Sequence, residues 1–75
     1  MKEVIEISTK DGLKPIGELY IRYKDAIAEV CVFDYATNTT TVVFENVWWE
    51  IPTNIHSYAR EYYGTDSLAF VSNIQ

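Results

Sequence analysis

The residue types that could do chemistry are few in this sequence, and their spacing favours none of them. The only histidine, His56, is followed by Ser57, but on a helix the two side chains would point about 100° apart. General acid–base catalysis needs a partner within hydrogen-bond reach, and nothing local supplies one. We therefore interpret His56 as an exposed or capping histidine.

The only cysteine, Cys31, lies in an apolar run with no basic neighbour that would stabilise a thiolate. Such cysteines behave as small core residues. One cysteine and one histidine can form neither a disulfide nor a four-ligand zinc site. The glycines stand apart, at positions 12, 17 and 64, so no glycine-rich phosphate loop is present. The sequence predicts no catalytic residue, no metal and no cofactor, and hence a protein that is not an enzyme.

Aromatic residues are the unusual feature of the composition. They make up 15% of 75 residues, which is more ring surface than a chain of this size can enclose. Trp48 and Trp49 are neighbours on an expected strand, so they should point to opposite faces. Tyr63 falls off the apolar stripe of an expected helix. Exposed rings of these types dominate interface hot spots, although they could equally cover the edges of a small core.

The formal charge of −5 is unevenly spread along the chain. Seven of the eleven acidic residues lie from Asp25 onward, where Arg60 is the only basic residue. Asp34, Glu45 and Glu50 could join the aromatic residues in a surface that is steered towards a basic partner. The alternative is that the acidity only keeps a small domain soluble.

A second candidate surface lies on one face of an expected strand, where Tyr20, Arg22 and Lys24 alternate with apolar residues. Tyr20 could stack on a base while the two cations hold phosphates, as in proteins that bind single-stranded nucleic acid. Net negative charge repels a phosphate backbone. Nucleic acid is therefore an unlikely partner, and this remains the alternative reading.

Period-2 alternation and β-branched runs predict most of the secondary structure. Residues 26–35 are apolar on both faces, which predicts a central strand, and Glu45-Asn46 should be a turn or a bulge. A competing interpretation makes residues 16–32 a helix. The expected strands are residues 3–8, 15–23, 26–35, 39–44 and 47–51.

A helix should follow Pro52, capped by Thr53 or Asn54 and ended by Gly64. Its apolar face would be formed by Ile55, Tyr58, Ala59 and Tyr62. Residues 68–74 could be a strand or a short helix, and we favour the strand. The predicted fold is α+β, a single domain over residues 1–75: a small antiparallel β-meander of four to five strands with one C-terminal helix packed on one face.

Residues 33–74 resemble the small KTSC domain. The resemblance lies in Phe33-Asp34, a threonine-rich turn and strand from Ala36 to Phe44, Pro52 before the helix, and the late Gly64, Phe70 and Ile74. The hairpin before the proline is several residues shorter here, and the family's Ser-x-Gly and Phe-Asn positions are not reproduced. The resemblance implies a meander with a helix and assigns no site residue.

The chain opens without a secretory signal, its apolar runs are too short to span a membrane, and its cysteine is unpaired, so we expect a cytoplasmic protein. The function we expect is a non-catalytic protein-binding module, an acidic inhibitor or adaptor that docks on a basic surface of a partner protein. By analogy alone, phages and mobile elements encode inhibitors of this form. Besides nucleic-acid binding, a structural homo-oligomer such as a homodimer is the other alternative.

Overall fold

The computed structural model describes residues 3–74 and shows an α+β fold: a five-stranded antiparallel sheet and one helix. The strand order is β4-β3-β2-β1-β5. The first four strands form the predicted meander, and the last returns to pair with β1 at the far edge. The elements are β1 (Glu3–Thr9), β2 (Pro15–Lys24), β3 (Ile27–Asp34), β4 (Thr39–Val47), a 3-10 turn (Trp48–Glu50), α1 (His56–Tyr63) and β5 (Leu68–Ile74).

The core lies on the sheet face that includes Leu19, which pairs with Ile5 on one side and Val32 on the other. Directly paired residues point to the same face of an antiparallel sheet. Ala59 is the fully buried residue of α1 and belongs to this cluster, so the fold fits a helix on one face of the sheet. The buried cluster consists of Ile7, Leu19, Val30, Val32, Ala59 and Leu68.

Strand β3 is buried on both faces, as its sequence predicts. Val30 and Val32 face the core, while Cys31 on the opposite face is also fully buried. The competing helix over residues 16–32 is wrong, because β2 and β3 form a hairpin in which Lys24 pairs with Ile27 across a two-residue turn. The predicted burial of Cys31 is confirmed.

A bulge in β4 aims two consecutive apolar side chains at the core. Val30 pairs with Phe44 and Cys31 with Val42, which leaves Val43 as the extra residue. Val43 and Phe44 both pack against the core cluster, and the Phe44 ring stacks on Tyr58 of α1 with centroids 5.0 Å apart. The predicted turn or bulge at Glu45-Asn46 is wrong, because β4 continues through both residues to Val47.

The expected strand over residues 47–51 is also wrong. Val47 pairs with the first residue of β3, Ile27, so the edge strand has no partner beyond this point. The chain turns into the 3-10 segment and reaches α1, whose N-cap is Ile55 with no side-chain cap, in place of the expected threonine or asparagine. The helix ends as predicted at Gly64, where φ is 68°.

Within residues 3–74, no helix has the length and apolarity needed to cross a membrane.

Candidate functional site

Trp48 and Trp49 form an exposed aromatic pair at one end of the sheet. Their side chains are 57% and 60% exposed, and the rings meet edge to face with centroids 5.5 Å apart. The expectation that the two indoles point to opposite faces of a strand is wrong, because both lie in the 3-10 turn. We call the surface formed by this turn, the end of β4 and the β2–β3 turn the tryptophan end.

The backbone beneath the pair is held from both sides. The Trp48 amide donates a 2.9 Å hydrogen bond to the carbonyl of Ala26 in the β2–β3 turn. On the far side of the turn, Ile51 donates to the Trp48 carbonyl at 3.4 Å, and its side chain packs against the core. The turn therefore presents its two indoles from a backbone that is fixed to the sheet.

Tyr23 extends the apolar surface at this end of the sheet. It is 65% exposed and pairs with Ala28, which in turn pairs with Asn46 two residues before Trp48. Tyr23 lies on the same face of β2 as Leu19, four residues along the strand, but its high exposure places it beyond the covered part of the core. A groove of about 340 Å³ runs beside it, lined by Glu3, Ile5, Leu19, Tyr20, Ile21, Tyr23 and Ile55.

Three exposed carboxylates lie in the elements that form the tryptophan end. Glu45 lies three residues before Trp48 and Glu50 directly follows Trp49, and both are exposed. Asp25 is also exposed and precedes Ala26, the residue whose carbonyl binds the Trp48 amide. The sequence included two of these three carboxylates in its expected surface and missed Asp25. The signal for it was the hairpin register, which brings the β2–β3 turn to the end of β4.

Arg22 and Lys24, the two cations of this region, both contact a carboxylate. The Arg22 Nε lies 2.8 Å from Glu29 Oε1, and the Lys24 Nζ lies 3.7 Å from the same oxygen. The hydrogen bond from Arg22 lowers the pKa of Glu29 below its usual value. Glu45 is the direct cross-strand partner of Glu29, so a second carboxylate stands beside this group.

The three residues of the expected nucleic-acid face therefore do share one strand face, but a carboxylate beside the two cations reduces its positive charge. Tyr20, Arg22 and Lys24 lie on one face of β2, as predicted, and Tyr20 is opposite Cys31. Both cations face Glu29, which lies on the same side of the sheet and has a side chain that is only 7% exposed. Both cations that could meet a phosphate thus already contact the same carboxylate within the chain.

Asp34 and Tyr63 lie at the opposite end of β3 from the aromatic turn. Asp34 pairs with Gly17 and Thr39, five residues along the strand from the level of Glu29, which is roughly 17 Å. Its Oδ1 accepts a 2.8 Å hydrogen bond from the amide of Ala36 and holds the β3–β4 turn. The predicted acidic set therefore does not converge on one surface.

Tyr63 is half-buried and is not a free anchor. Its hydroxyl donates a 3.1 Å hydrogen bond to the carbonyl of Ile16. Burial, reinforced by the negative charge of Asp34, raises the pKa of Tyr63 to about 12. The expectation that Tyr63 serves partner binding is at odds with this placement, because the polar end of the ring is already bonded to β2.

His56 is neither an exposed nor a capping residue. It is half-buried at the start of α1, and its ring stacks on Phe70 of β5 with centroids 4.4 Å apart. The neighbouring Ser57 hydroxyl donates to the carbonyl of Asn54 at 3.2 Å. In the part of the chain that the structure describes, no three His, Cys, Asp or Glu side chains come together in a way that could hold a metal ion.

Comparison of the chain with known protein families, with curated proteins and with solved structures finds no match. The resemblance of residues 33–74 to the KTSC domain therefore stays a prediction.

Proposed function

We propose that this chain is a non-catalytic protein-binding module, an inhibitor or adaptor that docks through its tryptophan end on a basic surface of a partner protein. The observation that carries the proposal is the pair of adjacent indoles, Trp48 and Trp49, each more than half exposed. Tryptophan is among the residues most enriched in binding hot spots. Exposure of two neighbouring indoles in so small a chain costs hydrophobic stabilisation that burial against a partner would recover.

The fixed backbone under the indoles supports this role. Binding is weakened when loops and side chains must be ordered at the interface. Here the hydrogen bond from Trp48 to Ala26 and the packing of Ile51 already fix the turn, and the indoles contact each other edge to face. Little further ordering of the backbone is needed before a partner can contact the rings.

The charge of the surface selects the kind of partner. Asp25, Glu45 and Glu50 are exposed in the elements that form the tryptophan end, while Arg22 and Lys24 of β2 both contact Glu29. A patch with excess negative charge raises the rate of encounter with a positively charged surface and disfavours an acidic one. The partner is therefore a protein that presents basic side chains around an apolar contact.

A matched comparison of variants tests the proposal. The wild-type chain and two variants are immobilised and exposed to nuclease-treated native cell extract, and the retained proteins are quantified by mass spectrometry. The first variant carries Trp48→Ala and Trp49→Ala. The second carries Leu13→Ala, which removes an 83% exposed apolar side chain in the β1–β2 turn at the other end of the sheet.

We expect a basic protein that is retained by the wild type and by Leu13→Ala and is lost with the tryptophan variant. Retention that is equal for all three chains would refute the docking surface. In a second comparison, Glu45→Gln with Glu50→Gln should weaken the salt dependence of retention. Glu61→Gln, on the exposed side of α1, should not.

Binding of single-stranded nucleic acid is the alternative, and the shared strand face of Tyr20, Arg22 and Lys24 is the observation that favours it. The contacts of both cations with Glu29 weigh against it. A mobility-shift assay with mixed-sequence oligonucleotides at low salt separates the two functions. We expect no retardation, whereas retardation that Arg22→Ala abolishes would favour the alternative.

A further inference from the structure

The two edges of the sheet are β4 and β5, and the chain protects them differently. An edge strand exposes unpaired backbone N–H and C=O groups that can pair with another chain, and proteins commonly block this with bulges or charged residues. Strand β4 carries both devices, since it has a bulge at Val43 and a charged residue at Glu45. Its ability to pair with a further strand is therefore reduced.

Strand β5 carries neither device. Its seven residues, LAFVSNI, include no charged residue and no proline. Its register with β1 runs without a shift from the pair of Thr9 and Leu68 to the pair of Glu3 and Ile74. Val71 at its centre is 53% exposed. In the described part of the chain, no other strand lies against the outer edge of β5.

We propose that the outer edge of β5 is a self-association surface, on which two copies of this chain pair antiparallel about a two-fold axis. Alternate backbone groups of an edge strand point away from its partner, and two β5 strands would satisfy them mutually. The product is a continuous ten-stranded sheet. Such a contact is isologous, because the same strand serves on both sides.

The sequence of β5 suits pairing centred on Val71. In that register Val71 faces Val71 of the second copy on one sheet face, and Phe70 faces Ser72 on the other. An apolar β-branched pair at the axis is a favourable cross-strand contact. Phe70 already packs against α1 of its own copy, where the His56 ring stacks on it and the Arg60 guanidinium lies 5.1 Å from its ring centre.

Charge argues for a second copy as the occupant in preference to another protein. An acidic chain that pairs with itself needs a neutral contact, and β5 provides one. The carboxylate nearest to the axis in register is Glu6, which pairs with Val71. The two copies of Glu6 would be three strand spacings apart, roughly 14 Å, beyond the screening length of about 8 Å at physiological salt. A charged partner would find no complementary group on this strand.

The geometry also limits the assembly to two chains. Pairing uses the β5 edge of both copies and leaves the bulged β4 edges outermost. The tryptophan end lies at the end of β4, on the opposite edge of the sheet, so both copies keep it exposed. If the proposed function holds, the dimer presents two docking surfaces and gains avidity for a partner with repeated sites.

Sedimentation equilibrium across a range of protein concentrations tests this proposal with two matched variants. Val71→Lys places a lysine on the exposed face of β5, directly opposite its own copy. Val42→Lys places one on the same sheet face of the other edge strand, at a residue that is 40% exposed. Far-UV circular dichroism checks that each variant is folded.

We expect the wild type to show a monomer–dimer equilibrium, Val71→Lys to raise the dissociation constant about tenfold or more, and Val42→Lys to leave it unchanged. A wild type that stays monomeric at every concentration overturns the proposal, as does a dimer that only Val42→Lys disrupts. If Val71→Lys does not fold, hydrogen exchange of the wild-type backbone amides tests the pairing instead. Alternate amides of β5 must become more protected as the protein concentration rises, and exchange rates that do not change with concentration refute the pairing. The Trp48→Ala, Trp49→Ala variant should still dimerise, which separates this outcome from the proposed function.

Discussion

The hydroxyl of Tyr63 donates a hydrogen bond to the backbone carbonyl of Ile16, 47 residues earlier in the chain and 3.1 Å away. This bond connects the last turn of α1 to the start of β2. The next residue, Gly17, makes the approach possible, because a Cβ at that position would collide with the Tyr63 hydroxyl and with the carbonyl of Phe33. The helix end and the sheet thus meet at a position where only a hydrogen fits.

Gly17→Ala should destabilise the fold by about 1–3 kcal/mol, the range for overpacking at a tight contact. Part of this cost should disappear in the Tyr63→Phe background, because the shorter ring removes one of the two collisions. Chemical unfolding of the two single variants and the double variant measures the coupling. A Gly17→Ala chain as stable as the wild type would show that this contact is not close in solution.

High pH should weaken the fold through two tyrosines. Burial raises the pKa of both Tyr63 and Tyr35 from 10.0 to about 12, and for Tyr35 the hydrogen bond to Glu18 adds to the effect. The folded state therefore holds these protons more tightly than the unfolded state, and the stabilisation present below pH 10 is lost between pH 10 and 12. Phenolate absorbance combined with unfolding curves should show this loss, and Tyr63→Phe should reduce it. Equal loss in the variant would contradict the assignment to Tyr63.

Low pH should weaken the fold through Glu29. The hydrogen bond from Arg22 lowers the Glu29 pKa below its model-peptide value of 4.5. The ionised Glu29 carboxylate therefore contributes its full stabilisation of the fold above that value, and this contribution is lost as pH falls through the lower pKa of the folded state. We expect Glu29→Gln to be less stable at neutral pH and less sensitive to acid, as measured by thermal unfolding at several pH values. Glu61→Gln is the control and should retain the wild-type acid dependence.

The β2–β3 hairpin shows which parts of the fold the sequence patterns predict. Alternation along β2 and two-sided apolarity along β3 predicted both strands, and the two-residue turn at Asp25-Ala26 fixes their register. That register alone places Arg22 opposite Glu29. The helix stop at Gly64 was also predictable from local sequence, and the strand favoured for residues 68–74 is confirmed, although the local pattern there fits a short helix as well.

The tryptophan turn was not predictable from local sequence, because Val47, Trp48 and Trp49 all favour strands. What ends β4 is the length of its neighbour: β3 begins at Ile27, so no backbone groups are available to pair beyond Val47. Tyr63 was misplaced for a similar reason. Its burial depends on the space at Gly17, a relationship between distant residues that the helical pattern does not contain.

The electrostatic character of the aromatic turn can be measured without a partner. Trp48 and Trp49 are the only tryptophans of the chain, so fluorescence excited beyond the tyrosine absorption band reports on this turn alone. At low ionic strength, caesium should quench the protein more strongly relative to iodide than it quenches N-acetyltryptophanamide, because the surrounding carboxylates attract cations. The double variant Glu45→Gln, Glu50→Gln should reduce this preference for caesium over iodide. A preference for iodide would show that the surface is not acidic.

The most direct test of the docking surface is the affinity of the partner, once recovered and purified, for the Trp48→Ala, Trp49→Ala variant compared with Leu13→Ala. Both variants remove exposed apolar side chains, but only the first alters the tryptophan end. We predict that the tryptophan variant loses about 2 kcal/mol or more of binding free energy, as expected for hot-spot residues, and that Leu13→Ala leaves the binding free energy unchanged. Equal affinity of the two variants would contradict the account and remove Trp48 and Trp49 from the interface.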